Sequence, residues 1–160
     1  MQQFHGVQYD TVGGVLGVPL QAFYFNGKFA HRPVTFGRGR VWIDVTGAAP
    51  LDCHWLDVEK EDATPDKVPT WNAERHHGTG QWGGVYCDRS TLPKVLDANG
   101  TLPLDLWLAT LDGTVPDAAD LGLPPNVRLV AVQAFGAELA GFRSDISVVV
   151  DQHYWDTRHA

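Results

Sequence analysis

Hydrophobic positions in this chain fall into short runs, most of them closed by a polar residue. Strands are predicted near Val7–Asp10, Ala22–Asn26, Val41–Val45, Trp55–Glu59, Gly84–Cys87, Leu104–Leu108, Leu129–Ala134 and Ile146–Val150. Most of these runs are nearly continuous rather than alternating, as expected of strands covered on both faces. Asp10, Asn26, Asp44, Glu59, Asp88 and Gln133 sit at or just past strand ends. Apolar run followed by polar end, repeated along the chain, predicts a parallel barrel with its polar groups gathered at one rim. A β-sandwich with polar turns is the competing arrangement.

Helix signals are sparse. Thr64-Pro65 reads as an N-cap followed by proline in the first turn, opening a helix to about His77 that Gly78 can stop. Pro69 implies either an irregular first turn or a true start at Thr70. Ser90 or Thr91 caps a second helix through Ala98, with Gly100 just beyond. The other connections are thin, although parallel neighbours usually need a dozen residues to cross over. The fold class expected is therefore α/β, an irregular, helix-depleted (β/α)8 TIM-like barrel. It is read as a single domain over residues 1–160, with 111–128 as a long irregular loop.

Composition narrows the function. A net charge of −7 disfavours a nucleic-acid partner, because a phosphate backbone rewards lysine and arginine. It also disfavours adhesion to an anionic surface. No apolar run approaches a membrane span, so no membrane partner is expected. Met1-Gln2-Gln3-Phe4-His5 lacks the basic and apolar regions of a secretory leader, which points to the cytoplasm of the producing cell or to a virion. Cys53 and Cys87 fall at opposite ends of neighbouring strands and read as free thiols. The histidines lack metal-binding spacing, and His76-His77 reads as a favourable charge at a helix C-terminus, so neither metal nor cofactor is expected.

The strongest chemical candidate is His54-Trp55-Leu56-Asp57-Val58-Glu59. On an extended strand Asp57 and Glu59 share a face, with Cα atoms roughly 6.5 Å apart. Close carboxylates compete for protons, and one is held protonated for acid chemistry. The bland alternative is two outward-facing acids on a half-exposed strand.

Several segments together resemble a known family. They are Ala22-Phe23-Tyr24-Phe25-Asn26-Gly27-Lys28, Trp42-Ile43-Asp44-Val45-Thr46-Gly47, Leu56-Asp57-Val58-Glu59 with Asp62-Ala63-Thr64-Pro65, and Gly84-Val85-Tyr86-Cys87-Asp88-Arg89-Ser90-Thr91. Leu106-Trp107-Leu108, Ala131-Val132-Gln133 and Ser144-Asp145-Ile146-Ser147-Val148 complete the series. In this order they resemble small proteins of actinobacteria and their phages, themselves similar to the family 25 glycoside hydrolases, the lysozyme-like muramidases. The resemblance implies an irregular barrel carrying an acidic cluster, matched here by Asp10, Asp57, Glu59 and Asp145. It implies Glu59 as proton donor and Asp57 as the group orienting the substrate's N-acetyl group or a water. Asp10 and Asp145 would then tune the field. Tyr24, Tyr86, Trp107 and Gln133 are the candidate substrate-binding residues, the aromatic ones by stacking on sugar rings. The implied partner is bacterial cell-wall glycan. The alternative is a non-catalytic subunit that contacts phage virion proteins.

Overall fold

The computed structural model describes residues 6–11, 20–28, 30, 39–139 and 142–158, with side chains over most of them. Among these, the strands are β1 (Gly6–Thr11), β2 (Leu20–Tyr24), β3 (Gly39–Asp44), β4 (Trp55–Asp57), β5 (Gly84–Asp88), β6 (Leu104–Ala109), β7 (Val127–Leu139) and β8 (Phe142–Val149). The helices are α1 (Val68–Thr79), α2 (Leu92–Asn99) and α3 (Gln152–Arg158). The fold is thus mixed α/β and poor in helix.

Strands pair in chain order, and β8 returns to β1 to close the ring. From β1 to β7 every neighbour is parallel. This excludes the β-sandwich. The last strand departs from an all-parallel barrel, because β8 is antiparallel to both β7 and β1. Pairing of β7 with β8 runs as far as Leu139 with Phe142, and two residues cannot carry a parallel crossover.

Apolar runs without alternation have a direct explanation here. Trp55, Tyr86, Trp107, Ala131 and Val149 belong to one buried cluster, inside the ring. The intervening Leu56, Val85, Cys87, Leu106, Leu108 and Val132 belong to a second, which packs with Val68 and Trp71 of α1 and Leu92 and Val95 of α2. Both faces of the central strands are therefore apolar. The rings of Trp55 and Trp107 meet edge to face at 5.5 Å and fill the interior. Gly84 makes room for them, since a Cβ there would run into the Trp55 ring.

The first helical segment begins with a 3-10 turn, Pro65–Lys67, before α1 proper, in accord with the irregular start expected from Pro69. Its stop is Gly80, in the left-handed region at φ 72°, rather than Gly78, which lies inside α1 against Leu51. The helix has little apolar periodicity because it buries polar groups that serve neighbouring loops. Asn72 accepts from the Gly83 N–H (2.8 Å) and donates to the Pro103 carbonyl (2.7 Å), while the Arg75 guanidinium donates to the carbonyls of Pro50 and Cys53. Such buried bonds replace the hydrophobic stripe.

The sequence reading missed α3. Asp151 caps it by accepting the Tyr154 N–H at 2.7 Å. Tyr154 is buried, and its hydroxyl accepts from Trp55 Nε1 at 2.9 Å. Because Trp55 opens β4, α3 closes the end of the barrel opposite the strand C-termini. Cys53 and Cys87 are free and buried. Burial pushes both thiols up, away from reactivity. Among the described residues, no helix is long and apolar enough to cross a membrane.

Candidate active site

Parallel strands end on the same side of the ring, so their terminal acids converge by topology. Asp44 ends β3, Asp57 ends β4 and Asp88 ends β5. Running the other way, β8 brings Asp145 to this rim, where its backbone pairs with Asp10 of β1. The Asp10 side chain lies outside the described residues, so only its register is stated.

On the register of Trp55, Asp57 faces the interior and is 2% exposed. Glu59 lies beyond the strand, contrary to the expectation of two acids on one extended segment. The Val58 N–H still reaches the Tyr86 carbonyl (2.9 Å), but the chain then turns. Asp62 N–H bonds the Glu59 carbonyl (3.2 Å) and Ala63 N–H bonds the Asp57 carbonyl (3.1 Å). Glu61 takes φ 79° at this turn, a conformation that side chains other than glycine seldom adopt. The turn folds Asp62 back, so that one oxygen each of Asp57, Glu59 and Asp62 lies within 4.8 Å of the other two.

Electrostatics follow from that crowding. Burial pushes the Glu59 carboxyl up, and the charges of Asp88, Asp62 and Asp145 push it further, against a hydrogen bond from Tyr86. Asp62 is raised by burial and by Glu61, with Lys28 opposing. Asp145 is raised by burial, with a Gln133 hydrogen bond opposing. Glu59 and Asp62 of the cluster, and Asp145 across the ring, therefore hold their protons more tightly than ordinary carboxyls do. Asp88 differs: burial raises it, but hydrogen bonds from Ser90 and Thr91 outweigh that and lower it.

The cluster opens onto a cleft of roughly 440 Å³ lined by Tyr24, Asn26, Lys28, Thr46, Asp57 and Glu59, among others. Of the sequence candidates, Tyr24 alone presents a half-buried aromatic ring to this cleft. Trp107 is wholly buried, edge-on to Trp55 and Tyr86, and donates its indole N–H to Ser147 Oγ (2.9 Å). It has no face left for a sugar. Tyr86 and Gln133 are 6% and 3% exposed, so they too are turned from stacking or direct contact toward supporting the acids. Tyr86 donates to Gln133 Oε1 at 2.5 Å, between Glu59 on one side and Asp145 on the other.

Asp62, Asp88, Asn26 and Lys28 were not singled out as site residues by sequence. Asp62 had a signal, an acid three residues after Glu59 where the chain becomes polar, but its approach depends on the turn. The oxygens of Asp57, Glu59 and Asp62 are also where a small cation could be held, though exposed acidic groups often cluster this way without one. The expectation of no metal rested on histidine and cysteine spacing and did not consider this trio.

No protein-family model and no curated protein matches the chain. A similar fold occurs in an uncharacterized B. stearothermophilus protein whose crystal structure was determined at 1.07 Å. The two chains are 13% identical with a TM-score of 0.64, over 96% of this chain and 99% of that one. At that identity the likeness concerns fold alone.

Proposed function

We propose that this chain is a glycosidase of the muramidase type, built on a helix-depleted (β/α)8-like barrel, that acts on bacterial cell-wall glycan. The observation that carries the reading is Glu59, whose carboxyl is raised by burial and by three neighbouring acids at the wall of an open cleft. A glycosidic oxygen leaves only if an acid protonates it, and that acid must still hold its proton near neutral pH. Glu59 supplies the proton. Asp57, deeper in the cleft, orients the substrate's acetamide or a water on the other side of the sugar ring. Tyr24 lines the same cleft with an aromatic ring, while Asn26 and Lys28 offer polar contacts to hydroxyl or carboxylate groups of the glycan.

Clearing of actinobacterial cell walls, followed by turbidity, tests the reading. Glu59→Gln keeps the shape and removes the acid, so the rate should fall roughly 10²- to 10⁴-fold. Equal rates for the two proteins would end the catalytic proposal. The alternative is a non-catalytic subunit of a phage particle, with virion proteins as partners. It is favoured by the connection from β3 to β4, which forms no helix and builds little wall for a long glycan groove. Stoichiometric presence in purified virions without hydrolysis would support it.

A further inference from the structure

The other end of the ring carries a second cleft, remote from the acids. Its volume is about 540 Å³, within the range of roughly 300–1,000 Å³ usual for small-molecule sites. The walls come from residues just before β5, from the starts of β6 and β7, and from α3. Trp82 lines it. Trp55, Trp71 and Trp107 lie in the two buried clusters and Trp42 packs against one, but Trp82 belongs to neither. It is half-buried, and the His76 ring of α1 stacks on it at 4.0 Å with 11° between the planes. A tryptophan kept out of the core and braced by a second ring is a rigid apolar platform.

Polar groups on the same walls are held in place by their own bonds. Arg128 of β7 and Asp105 of β6 form a two-pronged pair, Nε to Oδ1 and Nη2 to Oδ2, both at 2.9 Å. Arg128 Nη1 lies 3.5 Å from Asp151, so one guanidinium faces two carboxylates. No surplus positive charge is left to draw an anion. The guanidinium still has N–H groups beyond the two committed to Asp105, and that carboxylate keeps lone pairs for further donors. Asn126 spends its amide N–H groups on the carbonyls of Gly100 (3.2 Å) and Leu102 (2.8 Å), which fixes its side-chain oxygen as an acceptor. Donors and acceptors thus alternate beside an apolar ring.

We propose that this cleft is a second binding site, and that its ligand is an uncharged sugar ring of a glycan. A pyranose has an apolar C–H face and a girdle of hydroxyls, each both donor and acceptor. Its C–H face covers the Trp82 ring, whose π-face is electron-rich. Of two neighbouring hydroxyls, one donates to the Asp105 carboxylate and the other accepts from the Arg128 guanidinium. A phosphate or carboxylate ligand fits less well, since it must compete with Asp105 for the guanidinium while approaching Asp151. Nothing in this cleft depends on Glu59 or on hydrolysis, so the inference stands apart from the glycosidase reading.

The test is an NMR titration of the whole chain carrying Glu59→Gln, which keeps an oligosaccharide from being consumed at the other cleft. The probes are the β-1,4-linked tetramers of N-acetylglucosamine and of glucose, with inorganic phosphate as the anionic control. The Trp82 indole N–H signal, identified by its loss in Trp82→Ala, and the Arg128 Nε–H signal should shift saturably with at least one tetramer. Phosphate should leave both in place. Adding Trp82→Ala should weaken binding, read at Arg128, roughly tenfold. The proposal is overturned if neither tetramer moves these signals, if phosphate moves them at lower concentration than the sugars, or if Trp82→Ala binds as tightly as its parent. Should Trp82→Ala fail to fold, Trp82→Phe supplies the identification and the parent titration decides. A saturable shift at Trp82, in a protein whose native form clears no cell wall, would defeat the hydrolase reading alone. Clearing without any shift at Trp82 would defeat only the second site.

Discussion

Two adjacent strand ends put the same kind of side chain to opposite uses. Asp44 closes β3 and Asp57 closes β4, and the two strands pair in register, Asp44 opposite Leu56. Asp44 is fully buried, but donors surround it. Its Oδ1 accepts from Asn26 Nδ2 (2.7 Å), the Thr46 and Gly47 N–H groups (both 2.9 Å) and the Thr46 hydroxyl (3.0 Å). Its Oδ2 accepts from the Ala49 N–H (2.7 Å) and the Trp71 indole (3.0 Å). Burial raises this carboxyl, yet the donors outweigh it and the net shift is downward. One strand over, Asp57, Glu59 and Asp62 face one another, and Glu59 moves upward. Burial alone therefore does not make an acid reactive; the balance of donors against neighbouring charges does. Asp44 is a staple joining the loop after β3 to α1, while Glu59 and Asp62 of the cluster are raised.

The contrast breaks most visibly at the staple. Asp44→Ala leaves the buried Ala49 N–H and Trp71 indole N–H without their acceptor, at an expected cost of about 3–5 kcal/mol. For a chain of this size that lowers the melting temperature by roughly 6–20 °C, measurable by calorimetry or urea titration. A loss below about 1 kcal/mol would mean that the donors find water, and the staple would be nominal.

A middle-sized effect is expected at Asp88, which resembles Asp44 in its bonding and the cluster in its position. Its Oδ1 accepts the Thr91 N–H and the Ser90 hydroxyl, both at 2.7 Å, at the start of α2. Asp88→Ala removes these bonds from the turn that leads into α2, at a cost of about 1 kcal/mol by the usual scale of a hydrogen bond. It also removes a charge that raises Glu59, so the Glu59 midpoint should fall even as the fold weakens. A Glu59 midpoint that stays put would separate the two roles.

The smallest effect has the opposite sign. Glu59→Gln removes a carboxylate whose ionisation the fold opposes, so the variant should be more stable than the native protein at neutral pH. The gain is expected to reach at most about 1 kcal/mol, because solvent reaches the half-buried group. Linkage sets the direction on each side. A lowered acid such as Asp44 contributes stability that is present above its ordinary value of 3.8 and lost as pH falls through its folded value. A raised acid such as Glu59 works in reverse: its folded form binds the proton more tightly, so stability is highest below the ordinary 4.5 and falls as pH rises through the folded value. Opposed slopes predict a stability maximum in the mildly acidic range. Asp44→Asn should flatten its acid limb and Glu59→Gln its alkaline limb. A Glu59→Gln profile parallel to the native one would mean that the acid is solvated like any surface glutamate.

The run-and-stop pattern of apolar and polar residues is enough to locate the eight strands of the described residues, though β7 runs five residues past its expected end and β8 starts four residues before its expected start, because a strand buried on both faces must be apolar throughout. It also marks the rim acids, since parallel strands end on one side. It did not reveal the reversal of β8. The strand's own residues are apolar in either direction, and only the two-residue interval before Phe142 bears on it. Nor did it reveal α3, whose start depends on an Asp151 cap and whose hold depends on Tyr154 meeting a tryptophan distant in the chain.

What the chain determines by itself is therefore the order of the elements and the type of side chain at each end. Local propensity and solvent exclusion act on every residue where it stands, and both can be read without partners. Only tertiary structure decides which acid is saturated and which is crowded. Asp44 draws its donors from Asn26 and from Trp71 as well as from its own loop, while Asp145 reaches Glu59 across the ring. Trp107 shows the same division: an aromatic residue near a polar strand end reads as a sugar platform, and the closure of the ring makes it core. Proton affinity depends on distances of a few ångströms between groups far apart in sequence, and those distances exist only once the barrel has closed.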